Sequence, residues 1–109
     1  MKKDMPPQMA DILEVIKKSI QIKSYRFSKH AAARGEERSI SFNDALYVLQ
    51  NGIHNEKKTS FDYRRRTWKY AIEGKTADEI NARVIVAFES GVVIITIIRL
   101  VKKKMRRRV

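Results

Sequence analysis

The sequence predicts an α+β domain in which two or three N-terminal helices pack on an antiparallel sheet of three or four strands. Apolar residues recur at helical spacing as far as residue 51, and at every second position from residue 68 onwards. The chain has 109 residues, 43% of them apolar, which is enough for one domain with a buried core. Helices followed by strands in one domain are typical of the α+β class.

The first predicted element is an amphipathic helix from Gln8 to Ile22. Its apolar stripe consists of Met9, Ile12, Leu13, Ile16 and Ile20. Two prolines precede it, and proline suits a helix start because the first N–H groups have no partner inside the helix. We expect this helix to pack on the domain. The predicted organisation is an N-terminal amphipathic helix (residues 1–24), an α+β domain (25–101) and a flexible basic tail (102–109).

A second helix is predicted from Ser28 to about Arg38. Ser28 is a suitable N-cap, since its hydroxyl can accept a hydrogen bond from the first turn. Three consecutive alanines favour helix in this segment. Gly35 is its weakest position, because glycine in a helix interior costs about 1 kcal/mol relative to alanine.

A third helix is predicted over residues 43–51. Ser41 and Asp44 have the spacing of a capping box, in which each side chain accepts from the other residue's backbone N–H. Apolar side chains at helical spacing follow, and Gly52 is a suitable C-terminal stop.

Beyond residue 52 the apolar pattern changes to the alternation expected of strands. Residues 68–72 and 83–89 each place apolar side chains on one face, whereas residues 92–100 are apolar on both faces. We therefore expect the last strand to lie centrally in the sheet, with a weaker strand near residues 53–57.

The net charge of +12 is large for a chain of this length and indicates an anionic partner. Each phosphate that a basic side chain neutralises releases counterions, so nucleic acid is the first partner to consider. An acidic protein, an anionic membrane surface or solubility alone would use the same charge. The predicted nucleic-acid-binding residues are Arg64, Arg65, Arg66, Arg83, Lys102, Lys103 and Lys104.

The composition excludes several classes of site. The chain has no cysteine, so disulfides, thiolate metal sites and a cysteine nucleophile are excluded. With two histidines and no HExxH spacing, we expect neither a metal nor a cofactor. The N-terminus is polar and the longest apolar run is too short to span a bilayer, so we expect a cytoplasmic protein without membrane attachment.

His30, Arg34 and Arg38 are spaced to form one stripe along the second helix. Four residues advance the helix by about 40° beyond a full turn, so the three side chains share a sector of roughly 80°. Neither Glu36 nor Glu37 is expected to face this stripe, which leaves room for a phosphate. The set suits metal-independent cleavage of RNA: histidine transfers a proton near neutral pH, and arginines stabilise charge on the phosphate.

Flanking residues extend the stripe into a longer pattern of fixed spacing: His30, Ala31, Arg34, Arg38, Ile40, Ser41 and Asp44. This pattern resembles the signature HAxxRxxxRxISxxD of a bacterial family, domain of unknown function 4258, and the resemblance runs from about Tyr25 to Leu100. That family is grouped with the barnase, EndoU, colicin and RelE-like ribonucleases, many of which are toxins of toxin–antitoxin pairs.

The resemblance implies a RelE-like fold and endoribonuclease activity, with His30, Arg34 and Arg38 as catalytic residues. RNA and an acidic antitoxin-like protein are the implied partners. Gly35 departs from the larger apolar residue that is usual after Arg34, which predicts a looser helix at this point. Two alternatives stay open: a binding module without catalysis, and a purely structural stripe whose charges pair with carboxylates such as Asp44.

Overall fold

The computed structural model describes residues 5–101, which form three helices of at least nine residues, one short 3-10 helix and a six-stranded mixed sheet. The predicted α+β class is confirmed. The helices are α1 (Ile12–Gln21), α2 (Lys29–Glu37) and α3 (Phe42–Asn51), and Glu56–Lys58 form the 3-10 turn. The strands are β1 (Tyr25–Phe27), β2 (Ile53–His54), β3 (Ser60–Asp62), β4 (Thr67–Lys75), β5 (Asn81–Phe88) and β6 (Val92–Arg99). The predicted basic tail, with Lys102, Lys103 and Lys104, lies outside the described residues.

The predicted antiparallel sheet of three or four strands is wrong in two respects. The strand order is β1-β6-β5-β4-β2, with β3 also paired to β4, and β1 runs parallel to β6. The three residues of β1 are too few to show an alternating pattern, so the sequence did not predict this strand. β6 lies inside the sheet between β1 and β5, one strand from the edge.

Helix α1 begins four residues later than the pattern predicts, because side chains hold the preceding segment outside the helix. The indole N–H of Trp68 donates to the Pro6 carbonyl oxygen at 2.8 Å, and the Met9 N–H donates to the Tyr70 hydroxyl at 2.9 Å. From Ile12 onwards the helix buries its apolar stripe in the same core as the sheet.

The predicted caps of α2 and α3 are present. The Ser28 hydroxyl accepts a hydrogen bond from the Ala31 N–H at 3.0 Å. Ser41 and Asp44 form the reciprocal capping box, at 3.0 and 3.1 Å. Gly35 does not interrupt α2, since helical structure continues through it to Glu37.

Close packing accounts for Gly35. A Cβ atom at this position would lie 2.7 Å from the Ile40 carbonyl oxygen and 3.2 Å from the Cδ1 atom of Ile97. The glycine therefore lets α2 lie against β6 and against the chain segment that leads into α3.

The helices cover one face of the sheet, which we call the helix face. Tyr70, Ile72, Val84, Val86 and Ile94 project from this face into the core. The alternate residues of the same strands, among them Lys69, Ala87 and Val93, project from the opposite face. Within residues 5–101, no helix has the length and apolar composition needed to cross a membrane.

Candidate functional site

The candidate site is a concave pocket of about 350 Å³ on the face of the sheet opposite the helices. We call it the β-face pocket. Ala87, Val93 and Ile95 form its apolar floor, and Arg26 pairs with Val93, which in turn pairs with Ala87. The hydroxyl groups of Ser28 and Thr67 also line it. The walls carry four basic or titratable side chains and two carboxylates: Arg26, His30, Arg65, Lys69, Asp62 and Glu89.

The four basic or titratable side chains come from separate parts of the chain. Arg26 projects from β1, His30 from the first turn of α2, and Lys69 from β4. Arg65 lies in the turn between β3 and β4. Since three of the four are cationic at neutral pH and the fourth is an imidazole, the pocket has the chemistry of an anion site.

Asp62 shapes the turn that presents Arg65. Its Oδ1 atom accepts hydrogen bonds from the backbone N–H groups of Arg64 at 3.0 Å and Arg65 at 3.1 Å. The bond from the Arg65 N–H lowers the pKa of the Asp62 carboxyl. Partial burial opposes this effect, while the Arg64 N–H and the charges of Lys69 and Arg65 add to it. Asp62 is therefore the ionised acceptor that fixes the turn.

Glu89 is the second carboxylate of the pocket, and it contacts two arginines. Its Oε1 atom lies 3.4 Å from an Nη2 atom of Arg26, and its Oε2 atom lies 4.0 Å from Nη1 of Arg65. It follows β5 directly, where its N–H donates to the Gly91 carbonyl oxygen in the turn to β6. Gly91 has φ +116°, and a Cβ atom at this position would lie 2.4 Å from the Ser24 hydroxyl oxygen, so both the turn and its packing on Ser24 require glycine.

His30 lies at the N-terminal end of α2, exposed at the pocket wall. Its imidazole makes no hydrogen bond to another residue within 5–101, and the side chain is exposed. The other histidine, His54, is half-buried, and its Nε2 atom is 2.8 Å from the Thr59 hydroxyl. His54 thus has a side-chain partner within the fold, although it also borders a separate groove beside the start of α1.

Arg38 lies two turns from His30, and its side chain makes a hydrogen bond within the fold. The segment containing Ser28 and α2 closes the edge of β6 beyond the short strand β1. The Ser28 hydroxyl donates to the Ile95 carbonyl oxygen at 3.0 Å, and Nη1 of Arg38 donates to the Ile97 carbonyl oxygen at 2.7 Å. Arg38 therefore supplies the hydrogen bond that a neighbouring strand would otherwise make.

Arg34 is paired within its own helix. Its Nη1 atom lies 2.7 Å from Oε1 of Glu37, which corrects the expectation that Glu37 points away from the stripe. The physical reason is that residues three apart are neighbours on a helix surface. Neither Arg34 nor Arg38 lines the β-face pocket.

The other predicted nucleic-acid-binding residues are dispersed. Arg64 is exposed in the turn beside Arg65, and Arg66 borders a different groove, which also contains Pro6 and Trp68. Arg83 lies on β5 and is about four-fifths buried. Of the predicted residues that lie within 5–101, only His30 and Arg65 line the β-face pocket.

Arg83 forms the most buried ion pair among the described residues. Its Nε atom donates to Oε2 of Glu73 at 2.6 Å, and the Asn55 amide donates to the same oxygen at 2.8 Å. Burial alone raises the pKa of Glu73, but the bonds from Arg83 and Asn55, together with the charges of Arg83 and Lys58, outweigh it, so the pKa lies below its ordinary value.

Sequence reasoning missed four charged residues of the pocket: Arg26, Asp62, Lys69 and Glu89. Lys69 had a signal, because it alternates with Trp68 and Tyr70 and so lies on the opposite face of a strand. Arg26 and Asp62 had none, since β1 and β3 are only three residues long. No cluster of three or more possible metal-ligating side chains occurs in residues 5–101.

Comparison with known proteins identifies one family. The family model described as Domain of unknown function (DUF4258) matches residues 27–99, which cover α2, α3 and strands β2 to β6. The match therefore includes every pocket residue except Arg26. Neither the curated proteins nor the solved structures provide a match to this chain.

Proposed function

The chain belongs to the DUF4258 family, and from the geometry of the β-face pocket we propose that it binds RNA and cleaves it without a metal. The observation that carries the proposal is His30, an exposed imidazole that shares one pocket with Arg26, Arg65 and Lys69. A phosphate group bound by the two arginines and the lysine would lie within the same cavity as an acid/base group.

The proposed chemistry uses the RNA's own 2′-hydroxyl. As its proton leaves, the 2′-oxygen forms a bond to the adjacent phosphorus and the bond from phosphorus to the 5′-oxygen breaks. The products are a 2′,3′-cyclic phosphate and a 5′-hydroxyl. His30 carries out one of the two proton transfers and water the other. Arg26 and Arg65 stabilise the negative charge that grows on the phosphate oxygens.

Arg34 and Arg38 take different parts in this proposal. Arg34 is about two-fifths exposed, and a neighbouring phosphate can replace Glu37 as its partner. Arg38 acts as a positioning residue, because its bond to the Ile97 carbonyl oxygen holds α2, and with it His30, against β6.

The grouping of this family with the RelE-like ribonucleases supports the proposal and extends it. In that superfamily many members are toxins, so we propose that an acidic antitoxin-like protein binds the same basic surface and competes with RNA. The exposed arginines of the turn between β3 and β4 suit a carboxylate as well as a phosphate.

The test compares RNA cleavage by the native protein, by His30→Ala and by Lys29→Ala, an exposed neighbour that does not line the pocket. We expect His30→Ala to lose activity by about 100-fold or more while still binding RNA, and Lys29→Ala to keep activity. An oligonucleotide with one 2′-deoxy position should be uncut at that position. Equal cleavage by the native protein and His30→Ala would refute the role of His30.

The alternative is an RNA- or acidic-partner-binding module without catalysis. One observation favours it: the side chains of Arg34 and Arg38 both bind other groups of the protein, Glu37 and the Ile97 carbonyl oxygen. Binding that weakens steeply with salt, with no product from the native protein or from His30→Ala, would select this alternative.

A further inference from the structure

We propose that Glu89 is an internal competitor for the phosphate site, and that it sets how tightly the β-face pocket binds nucleic acid. This inference rests on the proposed function, since it concerns the same pocket. Of the pocket's two carboxylates, Asp62 is held by backbone N–H groups. The side-chain partners of Glu89 among the described residues are the two arginines.

Each carboxylate oxygen of Glu89 faces a different arginine. Oε1 is near Arg26 of β1 and Oε2 is near Arg65 of the turn between β3 and β4. A carboxylate between two guanidinium groups from distant segments occupies the place where a bridging phosphate would bind. The backbone of Glu89 is placed by the turn between β5 and β6, where its N–H donates to the Gly91 carbonyl oxygen at 2.8 Å.

The contacts of Glu89 are weak enough to be exchanged. Distances of 3.4 and 4.0 Å are long for charge-assisted hydrogen bonds. All three side chains are at least two-fifths exposed, and ion pairs of this kind contribute little in water. A phosphate can accept bidentate bonds from either arginine, so it displaces the carboxylate, and Glu89 opposes that binding by repulsion.

Removing the charge of Glu89 should therefore tighten binding. We expect Glu89→Gln to bind a short single-stranded DNA about three- to tenfold more tightly than the native protein at 0.1 M salt. The slope of log affinity against log salt should become steeper by about one counterion. DNA is the probe because it lacks the 2′-hydroxyl, so the readout does not depend on cleavage.

The matched control is Glu14→Gln. It changes the net charge by the same amount and breaks an exposed pair, 3.8 Å between Oε2 of Glu14 and Nζ of Lys17, on α1. We expect less than a twofold effect from this variant, because charges beyond about 10 Å are screened at 0.1 M salt. In an Arg26→Gln, Arg65→Gln background, the effect of Glu89→Gln should vanish.

Three outcomes would overturn the inference: no tightening by Glu89→Gln and Glu89→Ala, equal tightening by Glu14→Gln, or no binding by any of these proteins. Thermal melting of each variant checks that it is folded. The inference and the proposed function fail separately. Native cleavage of RNA without a Glu89 effect removes only the inference, whereas tightened DNA binding without RNA cleavage removes only the catalytic proposal.

Discussion

Replacing Arg38 by methionine should destabilise the fold, although Arg38 belongs to the stripe that the sequence marks as catalytic. Methionine keeps the apolar stem of the side chain and removes the donor to the Ile97 carbonyl oxygen. That bond is charge-assisted, 2.7 Å long and partly buried, and its loss leaves a strand-edge acceptor without its partner. We expect the free energy of unfolding to fall by about 2 kcal/mol.

For a domain of this size, a loss of about 2 kcal/mol lowers the melting temperature by roughly 8–16 °C. Thermal unfolding followed by circular dichroism measures it. The control is Arg34→Met, which breaks the exposed pair with Glu37 and should shift the midpoint by no more than a few degrees. Arg38→Lys should recover part of the loss, because an ammonium can still donate to the carbonyl.

The reasoning is refuted if Arg38→Met melts with the native protein and binds RNA more weakly. Arg38 would then act on the ligand, as the stripe alone suggests, and not on the edge of β6. We expect Arg38→Met to lower both the melting temperature and the affinity for RNA. We expect Arg34→Met to weaken RNA binding while its melting temperature stays within a few degrees of the native value.

Two further predictions concern the stability of the fold. Glu73→Gln should lower stability by about 1–2 kcal/mol at pH 7. Because the pKa of Glu73 is lowered in the folded state, its contribution is present above its ordinary value of 4.5 and lost as the pH falls through the lowered value. The difference in melting temperature between Glu73→Gln and the native protein should therefore shrink below pH 4.5, and a constant difference from pH 7 to 3 would contradict this. Gly35→Ala should destabilise by about 1–3 kcal/mol in chemical denaturation, since its methyl group meets the Ile40 carbonyl; stabilisation by about 1 kcal/mol would instead mean that helix propensity decides this site.

Local signals in the sequence predicted the parts of the fold that depend on neighbouring residues. The capping box of Ser41 and Asp44 located α3 to within one residue, alternation located β4 and β5, and a continuous apolar run located β6. The parallel pairing of β1 with β6 was not predictable in this way. This pairing joins Tyr25 to Val92, which are 67 positions apart in the sequence. β1 has only three residues, and a pattern this short does not distinguish a strand from a loop.

The same limit explains what could be predicted of the site. Helical spacing placed His30, Arg34 and Arg38 along one helix, and the structure has the first two in α2 and Arg38 as its C-cap residue. The spacing carries no information about what that helix packs against. In the structure His30 lines the pocket, Arg34 pairs with Glu37, and Arg38 donates to a carbonyl oxygen at the edge of β6. The remaining cations of the pocket come from β1, β4 and the turn before β4, and only the folded sheet brings them together.

Some residues of the pocket also stabilise the fold, whereas others do not, and Ser28 is an example of the first kind. Its hydroxyl accepts from Ala31 to start α2, donates to the Ile95 carbonyl oxygen and lines the pocket. Any change at Ser28 therefore disturbs the helix, the strand edge and the site together. Arg65 and Glu89 are exposed at turns that border the pocket, and they meet in a weak pair. Variants of these two residues can alter ligand binding with little effect on stability, so they are the ones that identify the ligand.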